Sequence, residues 1–293
     1  MSPWPDIERA IGEASGAAFV VDSRRLAGGG CINECHAVRG GGRTFFVKLN
    51  APERAEMFAA EAAGLRAIAR TRTVRVPEPV CHGASPAASW LVLEYLELRP
   101  LDDRSMAALG RNLARMHRVT AGQHGWDRDN TIGATPQLNT RSGDWIGFWR
   151  ERRLRFQLRL AASGGDRRRL VAAGERLAEK LPAFFSGYAP VPSLMHGDLW
   201  SGNAARSAEG EPVIFDPAVY YGDREADLAM TELFGGFPSS FYEAYRAQYP
   251  LDAGYATRKH LYNLYHVLNH LNLFGGGYGA QAERMIAQLL AQL

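Results

Sequence analysis

Residues 195–203 read MHGDLWSGN, and residues 212–218 read PVIFDPA. The first stretch sets a carboxylate, Asp198, five residues ahead of a carboxamide, Asn203. The second carries another carboxylate, Asp216, out of a short β-prone run of Val213, Ile214 and Phe215. Together these are the parts needed for phosphoryl transfer to a hydroxyl: a base beside the nucleophile, and two oxygen donors for the magnesium that arrives with ATP. The spacing H-x-D-x4-N alone turns up by chance in roughly one chain of this length in thirty. Asp216, thirteen residues further on, makes the pattern more specific. So does a lysine far upstream.

That lysine is Lys48, at the end of the β-branched and aromatic run in GGRTFFVKLN. Only three of the 34 basic residues are lysine, so a lysine here suggests a requirement for a point charge. It follows the glycine cluster LAGGGCIN, where Gly28, Gly29 and Gly30 allow backbone N–H groups to approach phosphate closely. A plain flexible turn is the alternative, and the pattern is not G-x-G-x-x-G. Residues 52–70 are predicted to form a helix carrying Glu61, placed to pair with Lys48 over the phosphates; Glu53 and Glu56 share that helix. The buried-strand pattern of residues 90–93 then runs into Glu94, Tyr95 and Leu96, where the chain is expected to cross between lobes and offer backbone groups to adenine.

These parts need a frame. Residues 5–16 are predicted as an amphipathic helix, with Ile7 and Ile11 on one face, and residues 18–22 as a strand. From Asp103 onward the pattern is mainly helical, with Leu109, Leu113 and Met116 on one face and His117 in a capping or packing role. Residues 125–150 are turn-rich, polar and rich in tryptophan. Asn130, Gln137, Asn139 and Trp145 there could bond a polar substrate or simply pack. The arginine-rich residues 150–180 read as a solvated helix face. Asp223, Glu225 and Asp227 precede a helix and read as caps, with Asp227 also able to brace the catalytic loop. His266 and His270 stand four apart, without the glutamate or third ligand of a zinc site; they are expected in the core or lining the substrate pocket. The chain thus reads as α+β with two lobes: a β-rich lobe over residues 1–96 and a mainly helical lobe over residues 97–293.

With 293 residues, 46% hydrophobic and 22% charged, the chain has ample core for two such lobes. A formal net charge of +3 gives no reason to expect nucleic acid or a membrane surface as partner. The N-terminus lacks a signal-peptide pattern, and three cysteines (Cys31, Cys35, Cys81) do not suggest a disulfide framework, so the expected location is cytoplasmic. Cys31 follows the glycines directly. It reads either as a small apolar packing residue or as a redox-responsive thiol beside a phosphate loop.

The segments GGGCIN, FFVKLN, DNTIGATPQLN, HGDLWSGN, VIFDPAVYYGDREADLA, ELFGGF and LYNLYHVLNHLNLFG resemble the fructosamine (ketosamine) kinases over nearly the whole chain. The resemblance implies the aminoglycoside-phosphotransferase, protein-kinase-like fold. It also implies an ATP- and magnesium-dependent kinase acting on the sugar 3-hydroxyl of ketoamines, either free glycated amines or glycated proteins. In the roles it implies, Asp198 is the base and Asn203 and Asp216 hold metal. Lys48 with Glu61 binds the phosphates, and Glu94, Tyr95 and Leu96 lie at adenine. Trp200, two residues past the base, could stack on a sugar ring. DPA stands where protein kinases have DFG, which argues against a protein-kinase-style flip of that segment. An aminoglycoside, choline or homoserine kinase, or a non-catalytic nucleotide-binding protein on the same scaffold, would share this core. Monomer and dimer are equally compatible with the sequence.

Overall fold

Side chains along the strand Ser89–Glu94 alternate between two cores: Trp90 and Val92 enter one, Leu91 and Leu93 the other. In the computed structural model, which describes residues 2–28, 32–165 and 167–293, this strand sits inside a five-stranded antiparallel sheet. The strands are β1 (Ser23–Leu26), β2 (Glu34–Gly40), β3 (Arg43–Asn50), β4 (Pro79–Ala84) and β5 (Ser89–Glu94), ordered β1-β2-β3-β5-β4. Helix α1 (Trp4–Ser15) lays Ile7 and Ile11 on one face of the sheet, against Val38, Val47, Leu49, Trp90 and Val92. Helix α2 (Ala55–Thr71) contributes Phe58, Leu65 and Ile68 to the core on the other face. Gly41 and Gly42, with φ of 53° and 75°, make the two-residue turn between β2 and β3, a conformation in which a side chain would be strained.

The same period of two decides where Lys48 points. Val47 and Leu49 belong to the α1 core, so Lys48 faces the opposite side, toward α2 and the second lobe. Residues 18–22 are not the strand expected from their composition. Phe19 is buried under α1, but Val20 is 66% exposed, and regular pairing with β2 begins only at Ser23.

Beyond β5, residues 95–102 lead into the helical lobe. Asp102 caps α3 (Asp103–Met116): its Oδ1 accepts Ser105 N–H at 2.9 Å while Ser105 Oγ accepts Asp102 N–H at 2.8 Å. A short hairpin, β6 (Asn130–Ile132) and β7 (Thr135–Gln137), precedes α4 (Trp145–Phe148). A π-helical turn, Trp149–Leu154, joins α4 to α5 (Arg155–Ser163), and α6 (Arg168–Lys180) follows. Two small antiparallel pairs carry the chemistry-bearing loops: β8 (Ser193–Met195) with β11 (Tyr220–Gly222), and β9 (Ala204–Arg206) with β10 (Pro212–Ile214). Helices α7 (Glu225–Leu233), α8 (Ser239–Gln248), α9 (Tyr255–Phe274) and α10 (Tyr278–Leu290) complete the lobe. No helix among the described residues is long and apolar enough to cross a membrane.

The arginine-rich stretch is only partly the solvated face expected. Arg155 pairs with Glu151, Glu175 and Glu179 near the surface. Arg153 is fully buried instead: the π-helical turn aims it inward, where it donates to Leu138 O at 2.6 Å and Asn139 Oδ1 at 2.7 Å. Its guanidinium lies 4.7 Å from the ring centre of Phe148 and 4.4 Å from that of Tyr220.

Candidate active site

Lys48 Nζ donates to Glu61 Oε1 at 2.6 Å and to Asp216 Oδ1 at 2.5 Å, and the lysine is 3% exposed. Burial alone would depress its pKa, but Asp216 and Glu61 outweigh it and keep the ammonium charged. Glu53 and Glu56 are not the partners. Asp216 follows β10 with φ of 58°, an unusual conformation for a side-chain-bearing residue; the bonds on either side of it fix the turn. Phe215 N–H donates to Asn203 O at 3.1 Å, and Ala218 N–H donates to His196 O at 2.8 Å.

The loop between β8 and β9 carries Asp198 and Asn203. His196 Nε2–H donates to Phe215 O at 3.0 Å, leaving Nδ1 to accept Asp198 N–H at 3.3 Å. A Cβ on Gly197, whose φ is 83°, would stand 2.1 Å from Ala218 O, so the two functional loops can lie this close only with glycine there. Asn203 Nδ2 donates to Asp198 O at 2.9 Å and Asp198 Oδ2 at 3.3 Å. Burial, reinforced by the charge of Asp216, pushes the Asp198 carboxyl up to about 7, against the opposing bond from Asn203.

Asp227, from α7, holds this loop from behind. Its Oδ2 accepts His196 N–H at 2.7 Å and its Oδ1 accepts Gly197 N–H at 2.8 Å. His117, at the end of α3, donates Nε2–H to Asp227 at 3.1 Å and accepts Tyr245 O–H at Nδ1, 2.8 Å away. Burial works against ionisation of Asp227, but His117 and the loop N–H groups outweigh it and hold the carboxyl below its ordinary range. Asp223 and Glu225 do more than cap α7. Asp223 accepts the hydroxyls of Tyr188 at 2.9 Å and Tyr262 at 2.6 Å, and buried Glu225 pairs with Arg258 at 2.7 Å.

Lys48, Glu61, Asp198, Trp200, Asn203 and Asp216 all line one cavity of about 380 Å³. Asn130 lines it too, but its carboxamide is engaged elsewhere, donating to Val219 O at 2.8 Å and accepting from Gln137 and Asn139. Two of the four candidate substrate residues lie elsewhere. Trp145 is buried in an aromatic core beside Phe148 and Trp149, its Nε1–H donating to Tyr262 O–H at 3.2 Å. His266 is buried against Tyr265, and burial lowers its pKa to about 3; His270, one turn later, lines the cavity in its place. Glu94 faces Arg75, which donates at 2.5 and 2.6 Å, and its N–H donates to Glu78 O at 2.9 Å. Tyr95 and Leu96 are partly buried, and none of these three lines the cavity. Gly28 is exposed with open space around it, whereas Gly29, Gly30 and Cys31 lie outside the described residues. Sequence reasoning missed the apolar wall formed by Met57, Ile132, Met230, Phe234, Leu273 and Phe274.

A β-sheet lobe holding Lys48, above a helical lobe holding Asp198, Asn203 and Asp216, defines a phosphotransferase of the protein-kinase-like class. The fructosamine kinase family profile matches residues 3–292, and the chain belongs to that family. A Synechocystis protein named probable ketoamine kinase is 49% identical over 292 residues, 99% of this chain and 97% of that protein. The chloroplastic protein-ribulosamine 3-kinase of Arabidopsis thaliana is 44% identical over 281 residues, 95% of this chain and 86% of that one. A crystal structure from Haemophilus somnus 129PT, whose name assigns it to fructosamine-3-kinase, superposes with a TM-score of 0.90 at 30% identity, covering 98% of this chain and 97% of that one. A thermostable mutant of the aminoglycoside phosphotransferase APH(4)-Ia, at 15% identity, shares the fold with a TM-score of 0.60 over 96% of this chain and 98% of its own.

Proposed function

We propose that this chain transfers the γ-phosphoryl group of ATP to the 3-hydroxyl of the sugar in a ketoamine. One observation carries the reading within the family: a buried Lys48 clamped by Glu61 and Asp216 faces Asp198 and Asn203 across a single cavity. Asp198 orients the acceptor hydroxyl and takes its proton, a role typically worth about 10²–10⁴-fold in rate. Lys48 neutralises phosphate charge, and Glu61 keeps its ammonium aimed into the cleft.

The residues present fit magnesium. Asp216 offers a carboxylate, and Asn203 offers its carbonyl oxygen while its Nδ2 is engaged by Asp198. Two hard oxygen donors completed by phosphate suit that ion, which would supply charge neutralisation and alignment of the phosphates. Glu94, Tyr95 and Leu96, outside the lining of that cavity, are proposed to meet adenine through backbone groups other than the Glu94 N–H, which is held by Glu78 O, and Trp200 to lie under the sugar ring. Free ketoamines and glycated proteins are both proposed as acceptors, a reading supported by the name protein-ribulosamine 3-kinase of one relative, and a cytoplasmic location belongs to the same reading. The test is ADP release in the presence of ketoamine, aminoglycoside and aminoalcohol acceptors. Turnover confined to aminoglycosides or aminoalcohols would overturn the proposal.

A further inference from the structure

The carboxylates lining the cavity are Glu61, Asp198 and Asp216. Glu61 and Asp216 are bound to Lys48, and Asp198 faces the acceptor hydroxyl in the reading above. A ketoamine also carries an amine, cationic at neutral pH, and among the described residues the cavity has no further carboxylate to pair with it.

The cavity offers a line of rings instead. Trp200, within the catalytic loop, is 6.0 Å from Phe234, which is 4.8 Å from His270; His270 is 5.5 Å from Phe274 and 5.1 Å from Tyr278. Phe274 is the last residue of α9, where Gly275 and Gly276, with φ of 69° and 62°, turn the chain away. It lines the cavity and is also 55% exposed, so one side of it faces the site and the other faces solvent. The rings thus run from the neighbourhood of Asp198 to the mouth.

We infer that the Phe234–His270–Phe274 wall holds the amine-bearing carbon chain of the acceptor, and that Phe274 is a specificity-determining residue for it. The inference rests on the ketoamine reading. Ring faces attract the ammonium without requiring a buried counter-charge, and the methylenes beyond it lose water-exposed area against Phe274. Acceptors with an aliphatic or aromatic group on nitrogen are favoured over the N-methyl compound, as a lysine side chain in a glycated protein would be.

The experiment uses two ketoamines of the same sugar, one N-methyl and one N-hexyl, with wild type, Phe274→Ala and Phe274→Tyr. Wild type is expected to show a lower KM for the hexyl compound. Phe274→Ala should raise that KM by about fivefold or more, leaving kcat, the KM for ATP and the KM for the methyl compound within about twofold. Phe274→Tyr, which keeps the ring, should restore the hexyl preference. Equal effects of Phe274→Ala on both acceptors, or no effect on either, overturn the inference while leaving the proposed reaction intact. No turnover of either ketoamine by wild type overturns the proposed reaction, and this inference with it.

Discussion

Lys48 and Asp216, 168 positions apart in sequence, lie 2.5 Å apart across the boundary between the sheet and the helical lobe. The contact joins a strand that presents Lys48 away from the α1 core to a turn that holds Asp216 at positive φ. One ammonium therefore couples the phosphate-facing charge to the carboxylate proposed to carry metal.

Lys48→Arg tests that arrangement. A guanidinium is a planar fork and cannot meet Glu61 and Asp216 as a compact ammonium does, nor occupy the same small volume. Turnover with ATP is expected to fall by at least about tenfold. Circular dichroism and thermal melting should show a retained fold. Unchanged kinetics would remove Lys48 from the phosphate site.

Asp198→Asn keeps the size of the side chain and removes its basicity. Turnover is expected to drop by about 10²-fold or more, with ATP affinity changed by only a few-fold. Pre-steady-state ADP formation and equilibrium nucleotide binding separate the two effects. A turnover within about tenfold of wild type would show that another group takes the proton.

These site residues were legible because the chemistry fixes their order and spacing locally: Asp198 and Asn203 share one loop, and Lys48 and Glu61 sit on adjacent elements. What was not legible depends on tertiary packing. Trp145 lies in a polar, turn-rich segment that reads equally as substrate-binding or as packed, and only the fold decides it, with Trp149 and Tyr262 drawing it into the core. Arg153 has arginine neighbours and reads as surface, because nothing in its local sequence announces the π-helical turn or the rings of Phe148 and Tyr220. Phe234 directly follows α7 and Phe274 ends α9, and an aromatic residue there looks the same in sequence whether it meets core or cavity. The brace by Asp227 could be suspected from its closeness to Asp216; its donors from His117 and the loop could not.

Asp227→Asn would test the brace. A carboxylate can accept both His196 N–H and Gly197 N–H, whereas an amide places its own N–H₂ against one of them. The variant is expected to lose about 1–3 kcal/mol of stability, the cost of leaving a buried donor unmet. It should also lose at least about tenfold in kcat, since a small displacement of Asp198 is amplified in the rate. Denaturant unfolding and steady-state kinetics measure the two losses. Full activity with lowered stability would confine Asp227 to a structural role.

The final prediction concerns pH and His124, which is 3% exposed, its ring centre 4.9 Å from that of Trp145 with the planes tilted by 48°. Burial lowers its pKa to about 4 from an ordinary 6.5, and Asp144 offsets only part of that effect. The folded protein therefore keeps the ring neutral while the unfolded chain protonates it below 6.5. This contribution is fully present above pH 6.5 and is lost as pH falls toward about 4. Other buried groups titrate over the same window, Asp198 in the opposite sense, so the measurement is a difference between wild type and His124→Leu. The stability of wild type relative to the variant is expected to fall by about 1.4 kcal/mol per pH unit below 6.5, followed by urea unfolding at several pH values. Parallel pH profiles for the two proteins would show that His124 takes up its proton in the folded state as readily as in the unfolded chain.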